Sequence, residues 1–170
     1  MQLEFVRLPD IPIANLVALL NDAEVRRHMP LSGTHVSESA AADWARAKDE
    51  QWTKNGYGPW AIRVDGSFAG WGGFQKEGED ADLGLVLLPD YWGRGAAIHR
   101  AMLAKGFSEL GFESVTILLP PSRVRLKSLD RLGYRPDGEV EYGGLRFFRF
   151  RLKRPDPTPP TGTASNDGTQ

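Results

Sequence analysis

The stretch from Leu83 to Leu110, LGLVLLPDYWGRGAAIHRAMLAKGFSEL, constrains the fold more than any other part of the chain. Leu83, Leu85, Val86, Leu87 and Leu88 form an apolar run that stops at Pro89. Its length and composition are those of a strand buried on both faces. Tyr91-Trp92-Gly93-Arg94-Gly95-Ala96-Ala97 follows as a tight turn rich in small side chains. Ile98, Met102, Leu103, Gly106, Phe107 and Leu110 then fall within roughly half the circumference of a helix. After Gly111, Val115 to Leu119 is a second continuous apolar strand. Strand, helix and further apolar strand predict a parallel crossover.

The turn carries the chemistry. The first amides of a helix have no intrahelical partner and sit at the positive end of its dipole. Gly93, Gly95, Ala96 and Ala97 leave almost no side chain to hold an anion away from them. A phosphate or pyrophosphate is the ligand such a turn would take. A tight turn with no ligand accounts for a glycine pair equally well. The spacing GxxxxGK[ST] of nucleoside-triphosphate loops is absent, and Gly93-Arg94-Gly95 lacks the third glycine of the dinucleotide fingerprint.

The rest of the chain is ordered around this unit. Residues 2 to 8 read as a first strand, and Ile13, Leu16, Val17 and Leu20 as a helical stripe. Glu24 to Met29 suggest a short second helix, and Pro30 to Val36 a loop. Ser37 is an N-cap with Glu38 in the first turn, opening a long helix to about Lys54. Trp60, Ile62 and Val64 alternate along a half-buried strand. Asp65-Gly66 is a two-residue hairpin signal. The partner strand, Ser67 to Gln75, holds Gly70, Gly72 and Gly73, which mark a bulge or the close approach of a ligand or another backbone. Residues 76 to 81 read as a polar turn before the central unit.

Pro120-Pro121 ends the fifth strand, and Ser122 opens a helix with Leu126, Leu129 and Leu132 inward and Gly133 at its end. Glu139 to Leu152 read as a hairpin around Gly143-Gly144. The order β-α-α-α-β-β-β-α-β-α-β-β predicts an α/β fold: a mixed sheet of about seven strands with helices on both faces. Residues 1 to 153 form one domain. Residues 154 to 170 hold four prolines and four threonines without a hydrophobic pattern, the composition of a disordered tail.

Composition narrows the function classes. The net charge of -1 gives no electrostatic case for nucleic-acid binding. With no cysteine there is no disulfide, thiolate metal site or cysteine acyl-enzyme. His28, His35 and His99 show no metal-ligand spacing, so no metal is expected. The N-terminus lacks a basic segment followed by an apolar one, and no apolar run approaches the ~18 residues of a membrane span. A cytoplasmic protein without membrane partners is the expectation.

LGLVLLPDYWGRGAA resembles motif A of the GNAT superfamily of acetyl-CoA-dependent N-acetyltransferases, in which an apolar strand and Pro-Asp/Glu-Tyr precede Q/R-x-x-G-x-G/A. Trp92 stands at the Q/R position, with Gly95 and Ala97 as the small residues. EVRRHMP (24 to 30) and LDRLGYRPDGE (129 to 139) are similar to segments of the Rim-type branch, the ribosomal-protein N-terminal acetyltransferases. The resemblance covers about residues 2 to 152. It implies that the fourth and fifth strands pair only at one end and that the gap between them takes the pantetheine arm of acetyl-CoA. It further implies a cofactor site at Leu87, Leu88, Trp92, Gly93, Arg94, Gly95, Ala96 and Ala97. A backbone amide near Leu87 would face the thioester oxygen.

The reaction so implied is direct acetyl transfer to an amine. The alternative is a non-catalytic acyl-CoA-binding module. A lysine amine (pKa ~10.4) is about a thousandth neutral near pH 7, whereas an α-amine (~7.7–8.0) is roughly a tenth or more. Asp82, where the branch often carries Glu, is the candidate base; a solvated carboxylate at the strand end beside Asp80 is the other reading. Ser122 stands where the family often has Asn, and Leu129 where many members have a tyrosine general acid. Ser122 or water is left to protonate the thiolate, unless it leaves unprotonated. Trp44 and Trp52 lie on the segment that forms one wall of the family's acceptor cleft. The oligomer implied is a monomer or homodimer.

Overall fold

The computed structural model describes residues 1–29, 33–124 and 126–156. Its strands are β1 (Leu3–Val6), β2 (Pro59–Val64), β3 (Ser67–Glu77), β4 (Asp80–Leu87), β5 (Ser114–Leu119), β6 (Arg135–Tyr142) and β7 (Leu145–Lys153). The α-helices are α1 (Ile13–Asn21), α2 (Ala23–Arg27), α3 (Glu38–Asn55), α4 (Gly95–Ser108) and α5 (Leu126–Leu132). One seven-stranded sheet has the order β1-β2-β3-β4-β5-β7-β6. Its neighbours are antiparallel except β4 and β5, which run parallel. The element order and mixed sheet are those expected from the sequence.

Alternation along β2 sorts the helices onto the two faces. Trp60, Ile62 and Val64 join a core with Ile98, Met102 and Leu103 of α4 and Leu129 of α5. Ala61, one residue out of phase, joins the opposite core with Leu16 and Leu19 of α1, Val25 of α2 and Ala41 and Ala45 of α3. Period-2 side-chain direction thus places α1 to α3 on one face and α4 and α5 on the other.

Local signals hold where a short-range contact enforces them. The Ser37 hydroxyl accepts from the Ala40 amide (3.2 Å), and α3 ends at Gly56 with φ 77°. Asp65 and Gly66 both have positive φ, as a primed two-residue turn requires. The glycines of β3 answer to backbone crowding. A Cβ on Gly70 would lie 2.1 Å from the Val86 carbonyl oxygen, and one on Gly73 2.7 Å from the Pro59 Cα.

Several boundaries differ from the sequence reading. β4 starts at Asp80, inside the supposed polar turn, which shrinks to Gly78-Glu79 between β3 and β4. Gly95, Ala96 and Ala97 belong to the first turn of α4, preceded by a 3-10 stretch over Pro89–Arg94. Ser122 lies in a 3-10 turn (Pro121–Arg123) rather than opening a helix, and Leu126, expected inward, is 63% exposed. Pro30 to Ser32 of the expected loop, Arg125, and residues 157 to 170 of the expected tail lie outside the described residues.

Two stability outcomes follow. Gly106 of α4 packs so closely that an added Cβ would meet Phe74 Cζ at 2.6 Å. Gly106→Val should cost about 1–3 kcal/mol, read as a lower urea midpoint at unchanged slope. The Arg154 amide donates to the Glu113 carbonyl (2.8 Å), whereas the sequence beyond it has little apolar surface to bury. A chain ending at Arg154 should keep its melting temperature; a loss of several degrees would show that the tail docks on the domain.

Candidate functional site

β4 and β5 share one register position among the described residues, Asp82 opposite Thr116. Charged groups clamp that end. Arg151, opposite Thr116 on β7, pairs with Asp80 (2.7 Å) and with Asp137 (2.9 Å), and Arg149 pairs with Asp137 (3.0 Å). The Arg151 guanidinium holds the Asp80 carboxyl below the usual carboxylate range. Beyond Asp82 the strands separate.

Ladder geometry shows which groups line the gap. The Leu88 amide donates to the Ala69 carbonyl (2.8 Å), and β4 pairs with β3 in continuous register. Alternation in an antiparallel ladder therefore turns the amides and carbonyls of Leu85 and Leu87 away from β3, toward β5. The Leu87 carbonyl accepts from the Trp92 indole N–H (2.9 Å). Trp92 is 44% exposed and stands edge-on to His28, with ring centroids 5.4 Å apart.

A cavity of about 770 Å³ fills the gap. Leu83 to Val86 of β4 and Ile117 to Leu119 of β5 form its sides. Gly95, Ala96 and His99 of α4 close one end, and Trp44 of α3 contributes a wall. Trp52, the other expected wall residue, is elsewhere: its indole N–H bonds the Pro59 carbonyl and its ring packs on Trp60.

The start of α4 fits a phosphate. Gly95 has φ -54°, which any residue adopts. A Cβ on Gly93 would meet nothing within 4 Å, and one on Gly95 only Leu87 Cδ1 at 3.7 Å. Neither backbone conformation at 95 nor packing at either position demands glycine. Small residues there keep open the approach to the first amides of a 14-residue helix. Arg94 directs its guanidinium away, to Asp65 (3.1 Å). Leu88 has its amide committed to Ala69.

Asp82 is no solvated strand-end carboxylate. It is half-buried at the paired end of β4 and accepts from the Thr116 hydroxyl (3.1 Å); it is not itself among the cavity-lining residues, which on β4 begin at Leu83. Burial, with lesser repulsion from Glu77 and Asp80, pushes its pKa up to about 7 despite that bond. Ser122 is exposed and is not among the cavity-lining residues. Leu129 does line the cavity.

Thr116 and Tyr134, near Asp82, and His99, which contacts Tyr134, were not singled out from sequence as partners. Thr116 is 1% exposed and was visible only as the polar residue inside Val115 to Leu119. Tyr134 is 2% exposed, directly after the helix-ending Gly133, and burial together with the Asp82 charge raises its pKa. His99 lies 3.0 Å from the Tyr134 hydroxyl, and burial lowers its pKa to about 4.

Residues 3–123 match the family model described as acetyltransferase (GNAT) domain. Solved structures share the fold. An acetyltransferase of the GNAT family from Bacillus anthracis superposes with TM-score 0.69 at 15% identity, over 90% of this chain and 95% of that one. A Vibrio cholerae protein assigned as a ribosomal-protein-serine acetyltransferase gives 0.66 at 17%, over 91% and 95%. A Campylobacter jejuni N-acetyltransferase, solved with acetyl coenzyme A, gives 0.62 at 12%, over 91% and 100%.

Proposed function

The chain belongs to the GNAT acetyltransferase family, and from that premise we propose that it transfers acetyl from acetyl-CoA directly to a primary amine, a protein N-terminal α-amine or the amine of a small molecule. The observation that carries this reading is the one-ended pairing of β4 and β5, with a half-buried carboxylate at its paired end. A non-catalytic acyl-CoA-binding module would have no need of a carboxyl whose pKa sits near 7.

The amides of Gly95, Ala96 and Ala97 would hold the pyrophosphate, and the gap edge of β4 the pantetheine arm. When bound, acetyl-CoA supplies a thioester activated toward attack. The Leu87 amide, turned toward the gap, would donate to the oxygen on which negative charge develops. Asp82 would accept the amine proton, through a water where the short side chain falls short. A base with pKa near the working pH combines a useful ionised fraction with useful basicity.

The cavity lining supports an α-amine acceptor. Among the described residues it carries no carboxylate, while Arg26 and Arg123 reach it. A lining without a carboxylate offers no counter-charge to a polycation such as a polyamine. The Rim-like segments point the same way, to protein N-termini. No helix among the described residues is long and apolar enough to cross a membrane.

Thiol release from acetyl-CoA should appear with peptides bearing a free α-amine and vanish when that amine is blocked. Tight acetyl-CoA binding without thiol release across peptides, polyamines and aminoglycosides would instead favour the binding module.

A further inference from the structure

Acetyl transfer to a neutral amine moves one proton from nitrogen to sulfur, and Leu129 lines the cavity where a hydroxyl could have supplied it. Two polar pairs lie near the strands and helix that line the same cavity. In one, Asp82 accepts from Thr116 (3.1 Å). Tyr134 lies within the electrostatic reach of Asp82, sealed from solvent at 2% exposure. The Tyr134 hydroxyl is 3.0 Å from His99 Nε2, with the two rings edge to face at 5.7 Å. His99 forms part of the cavity wall beside Gly95 and Ala96.

The imidazole is neutral at pH 7, because burial and the neighbouring Arg100 disfavour its charge. A neutral ring has one donor and one acceptor nitrogen. With Nε2 accepting from the Tyr134 O–H, Nδ1 carries the proton.

We propose that His99 donates from Nδ1 to the departing CoA sulfur and that Tyr134 is the positioning residue that fixes this tautomer. The proposal rests on the acetyl-transfer reading. As the C–N bond forms, one amine N–H breaks and its proton passes to Asp82. The C–S bond breaks with its electron pair on sulfur. The Nδ1–H of His99 holds that pair by a hydrogen bond, the thiolate takes its proton from solvent after release, and Asp82 returns its own proton to solvent. The protein ends as it began, and solvent carries the proton from Asp82 to sulfur. The net transfer runs from a carboxyl titrating at about 7 to a thiolate whose ordinary pKa is ~8.5, which is downhill.

The test is the thiol titration of CoA bound to the full chain, followed by thiolate absorbance and paired with calorimetry of CoA binding. A donor aimed at sulfur stabilises the thiolate, so bound CoA should titrate at least about half a unit below free CoA. His99→Phe should abolish that shift. His99→Asn, which retains an N–H near the Nδ1 position, should restore part of it, and Tyr134→Phe should reduce it. CoA bound with an equal thiol pKa in wild type and His99→Phe would overturn the donor role of His99 and leave acetyl transfer standing. Absence of CoA binding to the wild-type chain would overturn both.

Discussion

Asp82→Asn should lower turnover by roughly 10²–10⁴ while acetyl-CoA affinity stays near wild type. The substitution keeps the shape beside Thr116 and removes the group that can accept a proton. The pH profile gives an independent arm. Wild-type kcat/KM should climb as Asp82 ionises, through about pH 7. The variant should lose that limb and rise only as the amine itself deprotonates, near ~7.7–8.0 for an α-amine. High pH should therefore rescue it, most readily with acceptors of low amine pKa. Near-normal turnover of the variant at pH 7 would remove Asp82 from the chemistry and leave positioning alone to select the neutral amine.

The same substitution should change stability in a pH-dependent direction. Asp82 binds its proton more tightly in the folded chain, with pKa about 7 against the model-compound value of 3.8. Its contribution to stability is full below pH 3.8 and is lost as pH rises through about 7, because the folded state must then hold a buried charge. Asparagine carries no such charge. The melting temperature of Asp82→Asn relative to wild type should therefore increase from pH 4 to pH 8. A variant that gains stability while losing turnover would mark a residue kept at a cost to folding.

What could be read from the chain was whatever local physics enforces. Ser37 caps α3 because its own hydroxyl reaches the Ala40 amide, and Asp65-Gly66 turns because its own φ values allow it. The limits of β4 and the splay of the sheet were not local. Asp80 looks like a turn residue and Asp82 like a solvated strand-end carboxylate until Arg151, 71 residues from Asp80, and Thr116, 34 residues from Asp82, supply their partners. Parallel pairing leaves no short-range signature, so the extent of β4–β5 contact came from resemblance alone. Leu126 fitted the helical stripe with Leu129, yet α5 begins at Leu126 and leaves it in solvent. His99 and Tyr134 are 35 positions apart, and nothing in either neighbourhood announces the other.

Gly95→Glu should weaken acetyl-CoA binding at least tenfold, about 1.4 kcal/mol. The argument is steric and electrostatic at once. Gly95 opens α4 at the mouth of the cavity, and a Cβ there meets only Leu87 Cδ1 at 3.7 Å. The folded chain therefore has room for the side chain, and φ of -54° carries no strain for it. A carboxylate at a helix start is favourable in itself, so the apo protein should keep or slightly raise its melting temperature. That separates a binding defect from a folding defect. A bound pyrophosphate would meet the same carboxylate as a like charge over the amides that both require. Gly95→Ala adds only a methyl group and should bind more tightly than the glutamate variant, which isolates the charge from the small loss of space. Equal affinity of wild type and Gly95→Glu, measured by calorimetry on folded protein, would move the phosphate site away from α4.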